Sequence, residues 1–322
     1  YQVGGVILFG RNVESAGQLA ELTNGLKQLN ADAVPLFLCV DEEGGRVSRM
    51  PEEVMDLPSA DTFGQRHDAS ELTRLGQTLG MECAAFGFNL DFAPVADVRS
   101  NPENTVIGDR AYSGDPGRAA DAAAWVDGGM REAGIISVWK HFPGHGNTAT
   151  DSHQALPVVE LSREDWARGD AVPFRRAVEC GAPAVMAGHI RMTAFDPEYP
   201  ASLSHVLVSE VLREELGFTG VVCTDDLTMG AISDTYGMGE AAVLAVEAGC
   251  DLLLVCHGAD NLTQARQALL GAVDGGRISP ARLEESVYRI LALKAEYGLT
   301  NQTVEAPDVA ALNQAVQALL GE

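Results

Sequence analysis

Apolar residues in this chain gather in short unbroken runs, separated by longer stretches in which they recur at helical spacing. The runs are Gly5–Phe9, Pro35–Val40, Asn89–Val95, Ile135–Trp139, Ala184–Ala187, Gly220–Thr224 and Asp251–Cys256. They show no polar alternation, which is the pattern of strands covered on both faces. The stretches between them read as amphipathic helices, among them Ser15–Leu29, Ser70–Phe86, Pro116–Ala133, Arg163–Cys180, Gly239–Gly249 and Asn261–Val273. Start and stop signals agree. Ser162 precedes Glu164 and Asp165, Ser279-Pro280 puts proline at a first helical position, and Gly134, Gly181 and Gly217 follow helix ends. Alternating β and α elements predict a parallel sheet.

Polar residues cluster just after the strands. Asp41, Asp97, Lys140 with His141, His189, and Asp225 with Asp226 all follow an apolar run. In a (β/α)8 barrel the strand C-termini form the active-site face, whereas a doubly wound sheet would often carry a GxGxxG turn, which is absent. The predicted fold is therefore α/β, a TIM-type (β/α)8 barrel. A barrel of this type has eight strands, and the apolar runs supply one fewer, with the first beginning almost at Tyr1. The expectation is a barrel lacking its first βα unit in this chain, with an unpaired edge between Gly5–Phe9 and Asp251–Cys256. Thr105–Ile107, flanked by Asn, Pro and Gly, reads as a loop. Residues 1–299 read as a single catalytic barrel, and 300–322 as a tail with a short helix packed on it.

Composition narrows the partners. With 22 Lys and Arg against 46 Asp and Glu, the formal net charge is −24. That excess argues against nucleic acid and anionic membrane, which need a basic patch. The longest apolar run, Val34 to Val40, is too short to span a bilayer. Six cysteines, at 39, 83, 180, 223, 250 and 256, are neither paired nor spaced as zinc ligands. Read as free thiols, and with no signal segment visible, they point to a cytoplasmic protein. The oligomeric state is not legible.

The richest chemistry lies in Lys140-His141-Phe142-Pro143-Gly144-His145-Gly146, followed by Asp151-Ser152-His153. A carboxylate at Asp151, two residues from His153, can turn back onto the imidazole, fix its tautomer and free the other nitrogen for proton transfer. The same residues allow a zinc reading with His141, His145, Asp151 and His153 as ligands. Against it stand the Lys140 cation and a spacing unlike known zinc motifs. Thr224-Asp225-Asp226-Leu227-Thr228-Met229 places carboxylates at a strand end. Adjacent side chains on a strand point to opposite sides, so one Asp faces the mouth and the other the surrounding structure. Asp225 with His153 could supply the nucleophile and proton donor of a retaining glycosidase. Asp226 fits a capping role better. Asp41-Glu42-Glu43-Gly44-Gly45-Arg46-Val47-Ser48-Arg49 offers acceptors and donors suited to sugar hydroxyls, and Ile107-Gly108-Asp109-Arg110-Ala111-Tyr112 adds an arginine above the same mouth.

Together these motifs resemble a family 3 glycoside hydrolase of the bacterial β-N-acetylglucosaminidase branch. The matching pieces are Val3–Asn12, Val40–Arg49, Phe92–Val98, Ile107–Tyr112, Lys140–His153 and Gly217–Met229. The Lys140–Gly146 segment marks the wider family, and Asp151-Ser152-His153 marks the branch. The resemblance implies Asp225 as nucleophile, His153 as general acid and then base, and Asp151 as its orienting partner. Asp41, Arg49, Arg110, Lys140 and His141 would bind the hydroxyls of the non-reducing sugar. It also implies cis peptides at Lys140–His141 and Phe142–Pro143, no cofactor and no metal. The substrate would be a small carbohydrate with terminal β-N-acetylglucosamine, of cell-wall muropeptide or chitooligosaccharide type. The chain departs from the family at Glu42, where the usual residue is Gln. Three rival readings are a β-N-acetylglucosaminide phosphorylase on the same site, a zinc-dependent hydrolase and a non-catalytic sugar-binding protein.

Overall fold

The structure, a computed structural model, describes residues 3–148 and 156–321. Its strands are β1 (Gly5–Ile7), β2 (Phe37–Val40), β3 (Leu90–Asp91), β4 (Ile136–Phe142), β5 (Val158–Val159), β6 (Ala184–Ala187), β7 (Arg191–Met192) and β8 (Val221–Thr224). One parallel sheet runs in the order β1-β2-β3-β4-β6-β8, and a parallel bridge from Cys223 to Leu252 adds the next position. The apolar runs of the sequence thus lie side by side in chain order, which is the winding of a barrel.

Period-two alternation explains both faces of the sheet. Phe37, Cys39, Leu90, Ile136, Val138, Ala184, Met186, Val221 and Cys223 meet in the barrel interior. Their neighbours Leu38 and Val40, or Trp139, Val185 and Val222, pack against the surrounding helices. The run Asn89–Val95 forms only a two-residue strand because Pro94 has no N–H to give the ladder. Pairing resumes beyond it, where Val95 bridges Lys140 and Ala96 N–H donates to Lys140 O.

The helices begin where side chains can cap them. Ser15, Asp115, Ser162 and Ser279 each accept a backbone N–H from the first turn, of Gln18, Arg118, Asp165 and Arg282 respectively. One expectation needs correction. Arg163–Cys180 is not a single helix but two, Arg163–Arg168 and Ala171–Glu179, broken at Gly169. Pro173 cannot donate back to Gly169, so no continuous helix can run through that turn. The ribbon of β5 and β7 is also additional to the sequence reading.

Among the described residues, no backbone hydrogen bond joins β1 to the segment after Cys250. The expected seam is present, and β1 is only half-buried. Contacts hold it at the mouth and at the base. At the mouth, the Phe9 and His257 rings stack 5.5 Å apart, and Arg11 Nη2 lies 3.2 Å from His257 Nδ1. At the base, helix Pro280–Glu296 turns Leu293 and Ile290 towards the barrel interior. Its Lys294 Nζ donates to Gly4 O at 2.9 Å and Pro35 O at 2.6 Å, and stands 4.3 Å over the Phe37 ring. Helix Val309–Leu320 lays Leu312, Val316 and Leu319 on Leu72, Leu75 and Leu79. No described helix is long and apolar enough to cross a membrane.

Candidate active site

A cavity of about 420 Å³ opens at the C-terminal ends of the strands. Asp41, Arg49, Arg110, Lys140, His141 and Asp225 all line it. The structure therefore brings together every sequence-predicted site residue that it describes. Asp151 and His153 lie outside the described residues.

One wall is an ion network. Lys140 Nζ lies 2.6 Å from Asp41 Oδ1 and 2.5 Å from Glu43 Oε1. Arg110 grips the same Glu43 with two parallel bonds, Nε to Oε2 and Nη2 to Oε1, both 2.8 Å. Burial alone would push the Glu43 carboxyl up, but Arg110 and Lys140 outweigh it and hold it below the usual range. Burial would likewise lower Lys140, and Asp41 and Glu43 reverse that and raise it. The network is neutral in sum, so it can sit in a dry wall. Glu43 is its hub and fully engaged, while Asp41, with 21% of its side chain exposed, faces the cavity. Arg49 reaches the cavity from the loop after β2, braced by its Nη1 on Ser48 O at 2.9 Å.

The second wall centres on Asp97, which is 1% exposed. Its Oδ2 lies 2.7 Å from His141 Nδ1, and its Oδ1 accepts the His145 N–H at 2.6 Å. Burial opposes the charge on Asp97, yet His141 and His145 hold its carboxyl below the usual range. His145 Nδ1 lies 2.7 Å from Thr148 Oγ1, and Asn104 Nδ2 donates to His145 O at 2.7 Å. Burial and the neighbouring His141 lower the His145 imidazole. Two glycines make this loop possible. Gly144 has φ of 124°, and a Cβ at Gly146 would stand 1.7 Å from Val98 O. The peptides Lys140–His141 and Phe142–Pro143 are both cis, as is Ala93–Pro94. Among the described residues, no group of three or more His, Cys, Asp or Glu could hold a metal. Two of the four zinc candidates, Asp151 and His153, fall outside that set.

The floor is Asp225, at the end of β8. Its backbone N–H donates to Ala187 O at 2.9 Å, and its Oδ1 accepts the Asp226 N–H at 2.8 Å. Burial pushes the carboxyl up; His189, His141, the Asp226 N–H and Lys140 outweigh this and hold it below the usual range. It is thus a carboxylate at neutral pH. His189 is fully buried, with Nδ1 2.7 Å from Ser202 Oγ and Nε2 2.9 Å from Asp226 O. Asp226 lines the cavity as well, contrary to the expectation that it would turn away, and it ties loops together without capping the next helix. Its Oδ1 accepts the N–H groups of Thr228 and Cys256, both at 3.0 Å, and its Oδ2 the Thr228 hydroxyl at 2.6 Å. Glu43, Asp97 and His189 hold cavity-lining residues in place, and sequence reasoning gave them no role. Their location next to strand ends was the available signal for all three.

The arrangement offers an ionised carboxylate beside cations and acceptors suited to a ring of hydroxyls. Comparison with known proteins agrees. The chain is 35% identical over 323 residues to the β-hexosaminidase of Nitrosomonas eutropha, covering 98% of this chain and 92% of that protein. The family 3 β-N-acetylglucosaminidase of a Paenibacillus species superposes with a TM-score of 0.92 at 41% identity, over 98% of this chain and 62% of that one. A β-glucoside phosphorylase superposes with a TM-score of 0.88 at 27% identity, over 98% of this chain and 59% of that one. The chain thus spans under two thirds of these solved neighbours. Residues 1–293 match the N-terminal domain of glycosyl hydrolase family 3, and the chain belongs to that family.

Proposed function

We propose that this protein is a retaining β-N-acetylhexosaminidase that removes terminal, non-reducing β-N-acetylglucosamine from a small carbohydrate. The observation that carries the reading is Asp225, held as a carboxylate at a strand end and facing the same cavity as the Asp41–Lys140–Glu43–Arg110 network. In the first step the Asp225 carboxylate attacks the anomeric carbon and the bond to the leaving oxygen breaks. That oxygen takes its proton from His153, which Asp151 orients. In the second step neutral His153 takes a proton from water, and the resulting hydroxide displaces Asp225, so the β configuration is kept. An imidazole suits this role because it adds no negative charge beside an anionic nucleophile. Asp41, Arg49, Arg110, Lys140 and His141 bind the sugar hydroxyls. The aglycone is of muropeptide or chitooligosaccharide type.

Phosphorolysis is the second reading, favoured by the solved phosphorylase that shares the fold. The test is turnover of a chromogenic β-N-acetylglucosaminide and the matching β-glucoside, with and without EDTA, in phosphate and phosphate-free buffer. The expected result is hydrolysis of the first alone, unaffected by EDTA. A phosphate requirement with sugar-1-phosphate as product would transfer the chain to the phosphorylase reading. Loss of activity with EDTA would favour zinc. Sugar binding without turnover of either substrate would leave a binding protein.

A further inference from the structure

Beneath the sugar pocket lies a second group of acids that the proposed reaction does not use. Asp41 and Glu43 both hold Lys140, whereas Glu42 between them is 1% exposed and bonds to its own loop. Glu82 of helix Ala69–Ala85 and Asp91 of β3 are buried with it, and the Glu42 N–H donates to Asp91 Oδ1 at 2.8 Å. Among the described residues none of these three carboxyls forms an ion pair, and the nearby cations Lys140 and Arg110 are engaged by Asp41 and Glu43. One oxygen of Glu82 and one of Asp91 are buried with no hydrogen-bond partner. Carboxyls in such surroundings keep their protons.

Glu42 differs from the other two in its donors. Its Oε2 accepts the Ser48 hydroxyl at 2.9 Å and the Arg49 N–H at 2.7 Å, so it holds down the turn that carries Arg49 into the cavity. We propose that Glu42 is a positioning residue of the sugar pocket: in a dry cluster with Glu82 and Asp91 it tethers the Ser48–Arg49 turn, and its ionisation tightens that tether, because a carboxylate accepts the Ser48 and Arg49 donors more strongly than a neutral acid does. Several groups face the cluster. Ser48 and Arg49 come from the loop, Glu82 and Cys83 from the helix, and Asp91 from β3; Asp56 acts on Glu82 by charge, and Asp41 and Lys140 act on Asp91. Burial pushes Glu42 up to about 7 against its donors, and pushes Glu82 and Asp91 well above their usual values.

The sign follows from linkage. The unfolded chain releases this proton near 4.5 and the folded chain near 7, so Glu42 takes stability from the fold as pH rises between the two. Glu42→Gln keeps the acceptor and removes the charge. Its thermal midpoint should match that of the unsubstituted protein near pH 4.5 and exceed it increasingly up to about pH 7. A difference that does not change with pH, or one of opposite sign at about pH 8, overturns the proposal. The positioning role rests on the proposed hydrolase reading and is read from KM. Between about pH 6 and 8, KM for a β-N-acetylglucosaminide should fall at least about threefold in the unsubstituted protein and stay flat in Glu42→Gln, with kcat following one course in both. A KM that follows the same course with pH in both proteins overturns it. The melting arm needs no substrate, so failure of the hydrolase reading is distinguishable. If Glu42→Gln does not fold, Ser48→Ala serves. By removing a donor that favours the Glu42 carboxylate, it should move the break in midpoint against pH upward, and an unmoved break overturns the proposal.

Discussion

His141 Nδ1 and Asp97 Oδ2 stand 2.7 Å apart, although 44 residues separate them in the chain. Asp97 is buried and charged, so His141 keeps its proton on Nδ1 and leaves Nε2 for the cavity that the ring lines. The same carboxylate accepts the His145 N–H at 2.6 Å. One buried charge thus fixes two histidines at the root of the loop that continues to Asp151 and His153.

Asp97→Asn keeps the shape and removes that charge. The expected outcome is a folded protein whose kcat/KM falls by about 10²-fold, because the sugar-binding imidazole loses its fixed orientation. Stability supplies a separate readout. A carboxyl held below its ordinary value stabilises the fold above the unfolded value, near 3.8, and that gain is lost as pH falls further. Thermal midpoints below about pH 4 should therefore fall more steeply in the unsubstituted protein than in Asp97→Asn.

Asp225→Ala should lower kcat by about 10⁴-fold or more while leaving the melting profile intact. An aryl glycoside with an activated leaving group should not restore the first step, since no nucleophile remains. Near-normal turnover would remove Asp225 from the mechanism.

His153→Ala should lower kcat by about 10² to 10⁴-fold on a substrate with a poor leaving group. Here an activated aryl glycoside should recover much of the loss, because a good leaving group needs little protonation. Steady-state rates across a leaving-group series make the measurement, and a uniform loss along it would contradict the assignment.

Glu43→Gln removes the hub between Lys140 and Arg110 and leaves both cations short of a partner in a buried wall. Breaking a buried pair from one side costs about 3–5 kcal/mol, so the urea midpoint should drop well below that of the unsubstituted protein. Asp41→Asn, at a position with 21% of its side chain exposed, should cost less stability and show its effect chiefly as a higher KM.

The strands were legible because burial on both faces leaves an unbroken apolar run, and the strand-end acids because they stand directly after such runs. Alternation of side chains did not separate Asp225 from Asp226, since both line the cavity. Alternation does separate Glu43 from Glu42: positions 41 and 43 meet Lys140 and position 42 turns to its own loop. The three acids at 41, 42 and 43 look alike in composition, and the partner that Asp41 and Glu43 share, Lys140, comes from a strand about a hundred residues on, which no local pattern reveals. The role of Asp97 was hidden because its partners come from a different strand. The break at Gly169 was missed because the apolar period continues through it, and two-residue strands such as β5 and β7 have no period to detect.

The contact from Lys294 to Gly4 spans 290 residues of chain, and that to Pro35 spans 259. Closing loops of that length contributes nothing until both ends are already built, so the seam should zip last, after the central strands have paired. An interaction formed after the transition state governs how fast the molecule comes apart rather than how fast it assembles. The ammonium at the base of the barrel therefore acts as a latch on lifetime: Lys294→Met should accelerate unfolding in denaturant jumps and leave the refolding limb almost where it was.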